Sequence, residues 1–203
     1  HGMAEPALRI GAGLLEFWDL HTIFLEGSRW LERALALPGA QEPALAALRA
    51  RATLALGVLI MRRHDLTPGA ALISQTHALA DALGEVHTRG MARMWLARMY
   101  KTRHEHANSK QYFDLAVEDL RACGDEWNLA TVQHYLSTFD FDHRSIEEVR
   151  GVLEATVAQA RDLGHVLLLA DGLIGLAEVD LKEQRFDRAY DRISEAIHIY
   201  REL

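Results

Sequence analysis

The chain has 203 residues, of which 49% are hydrophobic, and carries a formal net charge of −7. That acidity leaves no basic footprint for nucleic acid, and a single cysteine, Cys123, excludes an internal disulfide framework and fits a reducing cytosol. Only four prolines and little β-type alternation point to an all-helical protein. No apolar run is read as a membrane span and no signal peptide is evident, so the expected location is cytoplasmic.

In chain order, residues 1–3 (His1-Gly2-Met3) have the look of a cloning remnant. Residues 4–203 are expected to form one helical repeat domain. It reads as a fragment of a larger protein, because polar end helices that would close a stacked array are not apparent. Ten helices in five antiparallel pairs are predicted. The first pair covers about 5–23 and 25–37 and stops at Pro38-Gly39. The second covers 43–63 and 68–83, with Pro43 in the first turn of its helix. The third covers 86–104 and 107–123, the fourth 126–139 and 145–163, the fifth 166–184 and 186–202. Ser145 with Glu148 forms a capping box, and Asp65 and Asp125 are candidate N-caps.

The pairs repeat. Gly84, Gly124 and Gly164 stand forty residues apart, each placed as a left-handed helix stop. The same step aligns Leu56, Leu96, Leu136 and Leu176, each followed by a small residue: Gly57, Ala97, Ser137 and Ala177. On the second helices it aligns Ile73, Phe113, Leu153 and Ile193. One turn later come His77, Val117, Val157 and Ile197, preceded by the small column Thr76, Ala116, Thr156 and Ala196. Leu83, Cys123, Leu163 and Leu203 close the helices, and Cys123 is expected to be a small core residue. A helix pair of this size cannot bury its apolar faces alone, so neighbouring pairs must stack.

These columns resemble the tetratricopeptide repeat (TPR). The clearest match is "LAEVDLKEQRFDRAYDRISEAI", Leu176 to Ile197, with Ala189 and Ala196 at the small positions. The period is forty, not the usual 34. Gly69, Ser109 and Val149 replace Ala at one small position. The resemblance implies an all-α, right-handed superhelical array of about five antiparallel pairs. A second resemblance rests on "FLEGSRWLERALALPG", Phe24 to Gly39, and on the stretch from Ala50 to Glu85. It is similar to the helical array of large bacterial LuxR-type, ATPase-containing transcription regulators. Neither a G-x-x-x-x-G-K-[ST] loop nor a helix-turn-helix with a basic reading helix is present in this sequence.

By resemblance to the tetratricopeptide repeat, a concave groove would be lined by Arg51, Arg62, Met94, Trp95, Arg98, Lys101, Thr131, His134, Tyr135 and Glu178. Leu54, Val58, Met91, Thr138, Asp171 and Ile174 fall in the same register. Mixed aromatic, methionine and arginine side chains suit peptide or protein recognition. The competing reading is that Trp95 and Tyr135 pack between pairs. His104-Glu105-His106, the pair His77 and Asp81, and the cluster Asp140, Asp142 and His143 lack the ligand set of a zinc site. Glu118-Asp119 and Glu147-Glu148 are placed on solvated faces. No catalytic residue, cofactor or metal is expected, and the chain is not read as an enzyme.

Two functions follow as expectations. One is an interaction and regulatory module of a multidomain bacterial regulator, binding a partner protein, a peptide or its own ATPase core. The other is an effector-sensing domain that closes around a small, anionic ligand. Neither contacts nucleic acid or membrane. Ala189, Ile193, Ala196 and Ile197 are expected to pack on the pair before. Tyr190 and Tyr200 are left to an exposed flank that permits weak self-association.

Overall fold

The computed structural model describes residues 2–137 and 144–202. Thr138, Asp140, Asp142, His143 and Leu203 lie outside them. Among the described residues the regular structure is entirely helical. The helices are α1 (Ala4–Gly13), α2 (Leu15–Leu20), α3 (Phe24–Leu35), α4 (Ala46–Arg62), α5 (Leu66–Leu83), α6 (Val86–Thr102), α7 (His106–Ala122), α8 (Glu126–Ser137), α9 (Ile146–Leu163), α10 (Val166–Lys182) and α11 (Phe186–Glu202). A 3-10 turn, Pro43–Leu45, leads into α4 and starts with the expected proline. The chain divides into two compact units, His1–Gly124 and Asp125–Leu203.

The forty-residue step is written into the backbone. Gly84, Gly124 and Gly164 have φ of 67°, 72° and 67°, the left-handed conformation that penalises a Cβ. A second series was not read from the sequence. His64, His104 and Gln184 also have positive φ, at 66°, 61° and 59°, and sit in the tight turns inside pairs. They are not glycines, so each turn carries a local cost that helix packing on both sides must outweigh. Ser145 Oγ accepts from Glu148 N while Glu148 Oε2 accepts from Ser145 N, completing the capping box. Asp125 Oδ1 caps α8 by accepting from Asn128 N. Asp65 makes no side-chain cap at α5.

The small columns lie where the helices of one pair meet. Ser109 Oγ donates to Ala97 O at 2.6 Å, so hydroxyl and backbone touch between α7 and α6. Ala189 and Ala196 are both buried in unit 2, and Arg192 Nη1 reaches Leu176 O of α10 at 3.0 Å. A hydroxyl as short as that of Ser109 reaches the Ala97 carbonyl only because the two helices lie close there.

Other expectations need correction. The first predicted helix breaks at Leu14 (φ −90°, ψ 5°) into α1 and α2, next to Gly13, whose helix propensity is poor. Pro43–Arg62 is long and apolar enough, at a mean hydropathy of 1.7, to cross a membrane by length and composition. Half of that stretch is buried, because α4 packs against α1, α3, α5 and α6, and a helix covered on most sides is apolar on most sides. Cys123 is exposed, not core. It is the C-cap of α7, where the helix already turns outward. Leu83 is likewise exposed. Asp119 is buried at 4% exposure, while Glu118, Glu147 and Glu148 are solvated. Ile193 and Ile197 are exposed at 38% and 44%, so only Ala189 and Ala196 of that predicted face are covered.

Candidate functional site

In unit 1, α4 and α6 bring part of the predicted set together. Trp95 is buried at 7% exposure. The guanidinium carbon of Arg98 lies 4.3 Å from the centre of its ring, and that of Arg62 lies 5.4 Å away. An indole face is the strongest aromatic partner for a cation. Arg62 also pairs with Asp19 of α2, with Nη2 donating to Oδ2 at 2.6 Å and Nε 2.6 Å from Oδ1, an ion pair that suits a guanidinium and a carboxylate. One helical turn beyond Arg98, burial first and the Arg98 charge second hold the Lys101 amine below its ordinary pKa. Two guanidinium groups therefore lie over one tryptophan, the Lys101 amine is near enough to Arg98 to feel its charge, and Arg62 already holds a carboxylate.

The remaining predicted residues disperse. Arg51 lies eleven residues before Arg62, about 16 Å along α4, and pairs with Glu85 at 3.0 Å. Met94 is buried at 3% and belongs to the core, as do Leu54 and Val58. In unit 2, Thr131 Oγ1 lies 3.0 Å from His165 Nε2. His134 is buried, with its ring 5.9 Å from that of the half-buried Tyr135. Glu178, Asp171 and Ile174 are exposed on α10, and Tyr200 Oη donates to Asp171 Oδ1 at 3.2 Å.

The sequence reading missed three polar constructions. In unit 1, Asp119 of α7 is held by two arginines of α6. Arg89 Nη2 donates to Oδ1 at 2.7 Å and Nε to Oδ2 at 3.0 Å, while Arg93 Nη1 donates to Oδ2 at 2.7 Å. Arg89 reaches on to Asp81 of α5 at 2.7 Å, and Arg93 Nε donates to His77 Nε2 at 3.2 Å. Burial, then the Arg93 charge, lowers the His77 pKa, which keeps that nitrogen an acceptor. In unit 2, Asp180 of α10 is fully buried. Arg150 of α9 donates to its Oδ1 at 2.8 Å and also binds Glu183, and Arg192 of α11 lies 2.6 Å from its Oδ2.

The third is His165, the N-cap of α10. Its Nδ1 accepts from Leu168 N at 3.3 Å, and its ring stacks on Trp127 with centroids 3.8 Å apart. With Nδ1 accepting, the proton sits on Nε2, which donates to Thr131 Oγ1. Burial brings its pKa down to about 4. The legible traces were arginines four apart at 89 and 93, and an aspartate, Asp180, inside an apolar run. Among the described residues no three His, Cys, Asp or Glu side chains come together as a metal site.

No family model and no curated protein matches the chain. Solved structures do. BtubC (BKLC) from P. vanneervenii is similar at a TM-score of 0.63 and 17% identity, over 97% of this chain and 86% of that one. The nearly identical TPR-like repeats of a kinesin-light-chain candidate from Podosopora anserina, in a point-substituted form, align at 0.61 and 17% identity, over 98% and 97% of the two chains. The apo form of RapI aligns at 0.66 with 9% identity, over 97% of this chain and 84% of that one. Identities this low speak for the fold alone, and the fold of this chain is a TPR-like array of antiparallel helix pairs.

Proposed function

We propose that the chain is a protein-interaction repeat module that takes an acidic segment of a partner on the face formed by Arg62, Trp95, Arg98 and Lys101. The observation that carries this reading is the pair of guanidinium groups over a single indole, at 4.3 and 5.4 Å. Cations gathered around an apolar ring favour a carboxylate-bearing, partly apolar ligand over a neutral sugar. Arg62 already pairs with the chain's own Asp19, so a carboxylate is accepted beside this ring. The lowered pKa of Lys101 has the Arg98 charge among its causes, and an arriving anion would relieve that repulsion. In the wider reading the module serves a multidomain bacterial transcriptional or signalling regulator in the cytoplasm, with the partner segment supplied by another protein or by the regulator's own core.

The test is a labelled Glu/Asp-rich peptide carrying one aromatic residue, titrated with the chain while anisotropy is recorded. Arg98→Ala is expected to weaken binding about tenfold, a loss of about 1.4 kcal/mol, with the melting temperature nearly unchanged. Added salt is expected to weaken the wild type more than the variant. Equal affinity for both proteins, or no binding by the wild type, would sink the reading.

A further inference from the structure

The Arg62 guanidinium serves two partners at once. It stands over the Trp95 ring at 5.4 Å and pairs with Asp19, which comes from 43 residues earlier in the chain. Asp19 is carried by α2, a helix of six residues set off from α1 by the break at Leu14. Just after α2, Thr22 has a φ of 56° and Ile23 N donates to Trp18 O at 3.1 Å, so the chain folds back tightly. Trp18 anchors the helix. It is buried and seats on Gly27 of α3, where an added Cβ would come within 2.6 Å of the indole. The backbone under Asp19 is thus fixed, and its carboxylate is delivered to the end of α4. The ion pair itself is not enclosed: the Asp19 and Arg62 side chains keep 20% and 38% of their surface in water. Nor is it fully satisfied. Asp19 Oδ1 lies 2.6 Å from Arg62 Nε, yet it is buried and accepts no hydrogen bond among the described residues. Close approach without alignment leaves a carboxylate oxygen short of a donor.

We infer that Asp19 is an internal competitor on the acidic-segment face: its carboxylate holds Arg62 in the free chain, and an arriving carboxylate takes Arg62 by turning Asp19 out into water. This rests on the reading of that face under Proposed function. A carboxylate tethered at this place acts at a high effective concentration, so a free ligand must always contend with it. The exchange keeps charge in balance. One carboxylate replaces another on the same guanidinium, and the displaced Asp19 Oδ1 gains the water it lacks. Only a side chain has to turn, since the buried Trp18 keeps α2 in place. The contact therefore raises the threshold for binding without blocking the face. A neutral segment does not displace Asp19 from Arg62, whereas a strongly acidic one does. A partly exposed ion pair of ordinary strength is closed in roughly 60–85% of molecules, which weakens the apparent affinity of the ligand about two- to sixfold.

The test repeats the anisotropy titration with the labelled Glu/Asp-rich peptide, on the whole chain and its variants. Asp19→Asn is expected to bind about two- to sixfold more tightly than wild type. Asp19→Ser should tighten binding alike, so the result does not depend on how well one variant folds. Glu16→Gln removes the same charge from an exposed position of the same helix and should change affinity by less than about 1.5-fold. Arg62→Gln should bind less tightly than wild type, and adding Asp19→Asn to it should gain no more than Glu16→Gln does, because the competitor then has nothing to hold. Melting curves report that each variant is folded. A purely structural ion pair would lower the melting temperature of Asp19→Asn and leave its peptide affinity unchanged or weaker, and that result would overturn the inference. If wild type binds and Arg98→Ala weakens it, but Asp19→Asn is no tighter than Glu16→Gln, the competition falls and the face stands. An equal gain from Asp19→Asn with and without Arg62 would also end it, since overall charge would then account for the gain. No binding by wild type or by Asp19→Asn would remove both the face and its competitor.

Discussion

Helices α9 and α11 hold the same place in successive pairs, yet they end up with different faces buried. Their small columns agree. Val149 and Thr156 of α9 are buried, as are Ala189 and Ala196 of α11. Their large columns do not. Leu153 and Val157 are exposed by 1% and 6%, whereas Ile193 and Ile197 are open to solvent. The difference lies in what comes next. Leu153 fits against Gly175 and Val157 against Gly172, where an added Cβ would come within 2.9 and 2.8 Å of their methyl groups. The two glycines make α10 thin enough at these points for α9 to seat there. On α9 both columns reach α10, since Thr156 also stands beside Gly172 and Val149 shares a core with Leu173 and Leu176, whereas on α11 only the small column is covered.

Charge ties α10 on both sides where apolar contact does not treat its neighbours alike. Asp180 takes Arg150 from α9 and Arg192 from α11. Asp180→Ala should leave both guanidinium groups without their buried partner and cost about 3–5 kcal/mol. Denaturant unfolding would measure it. A loss below about 1 kcal/mol would mean that solvent replaces the carboxylate and that the tie contributes little.

The apolar half of the comparison can be broken directly. Leu153→Ala should cost about 2–5 kcal/mol through lost burial and the cavity left beside Gly175. Ile193→Ala, in the same column forty residues on, should stay within about 1 kcal/mol in dilute solution, since its side chain is already half in water. Equal losses from the two variants would erase the distinction between α9 and α11.

A subtler probe acts on the helix that covers α9. His165 caps α10 as a neutral imidazole with a pKa of about 4, against an ordinary value of 6.5. The unfolded chain therefore binds this proton first as pH falls. The stability His165 contributes is fully present above pH 6.5, declines as pH drops below that value, and is lost by pH 4. Its full amplitude is roughly 3 kcal/mol. Urea melts at pH 7.5 and pH 5 should show a decrease that His165→Gln removes. An unchanged pH dependence in that variant would assign the effect to other groups.

Much of the candidate site was not legible. Arg62, Trp95 and Arg98 were singled out from their repeat register and do meet, because α4 and α6 are neighbouring helices with the same phase. Arg51 shares the register but stands three turns away and is taken by Glu85. Register names a helix face and does not say how far along it two side chains lie. Met94 was placed on that face and is buried, because a helix packed on several sides has little open surface left.

What the amino-acid order determined by itself was local. The helix period, the left-handed stops at Gly84, Gly124 and Gly164, the box of Ser145 and Glu148 and the cap of Asp125 each depend on residues within one or two turns. Their backbone geometry follows from those residues alone. Tertiary structure decided the rest. Asp119 meets Arg89 and Asp180 meets Arg150 across thirty residues of sequence. Asp119, which was placed on a solvated face, and Asp180, which was not singled out, are both buried, because partners arrive from other helices and offset the loss of water. Ile193 carries the same apolar signal as Leu153, yet hydrophobicity records only that a side chain gains by leaving water. Whether it leaves depends on a neighbouring surface shaped to receive it, such as the glycines of α10 for Leu153.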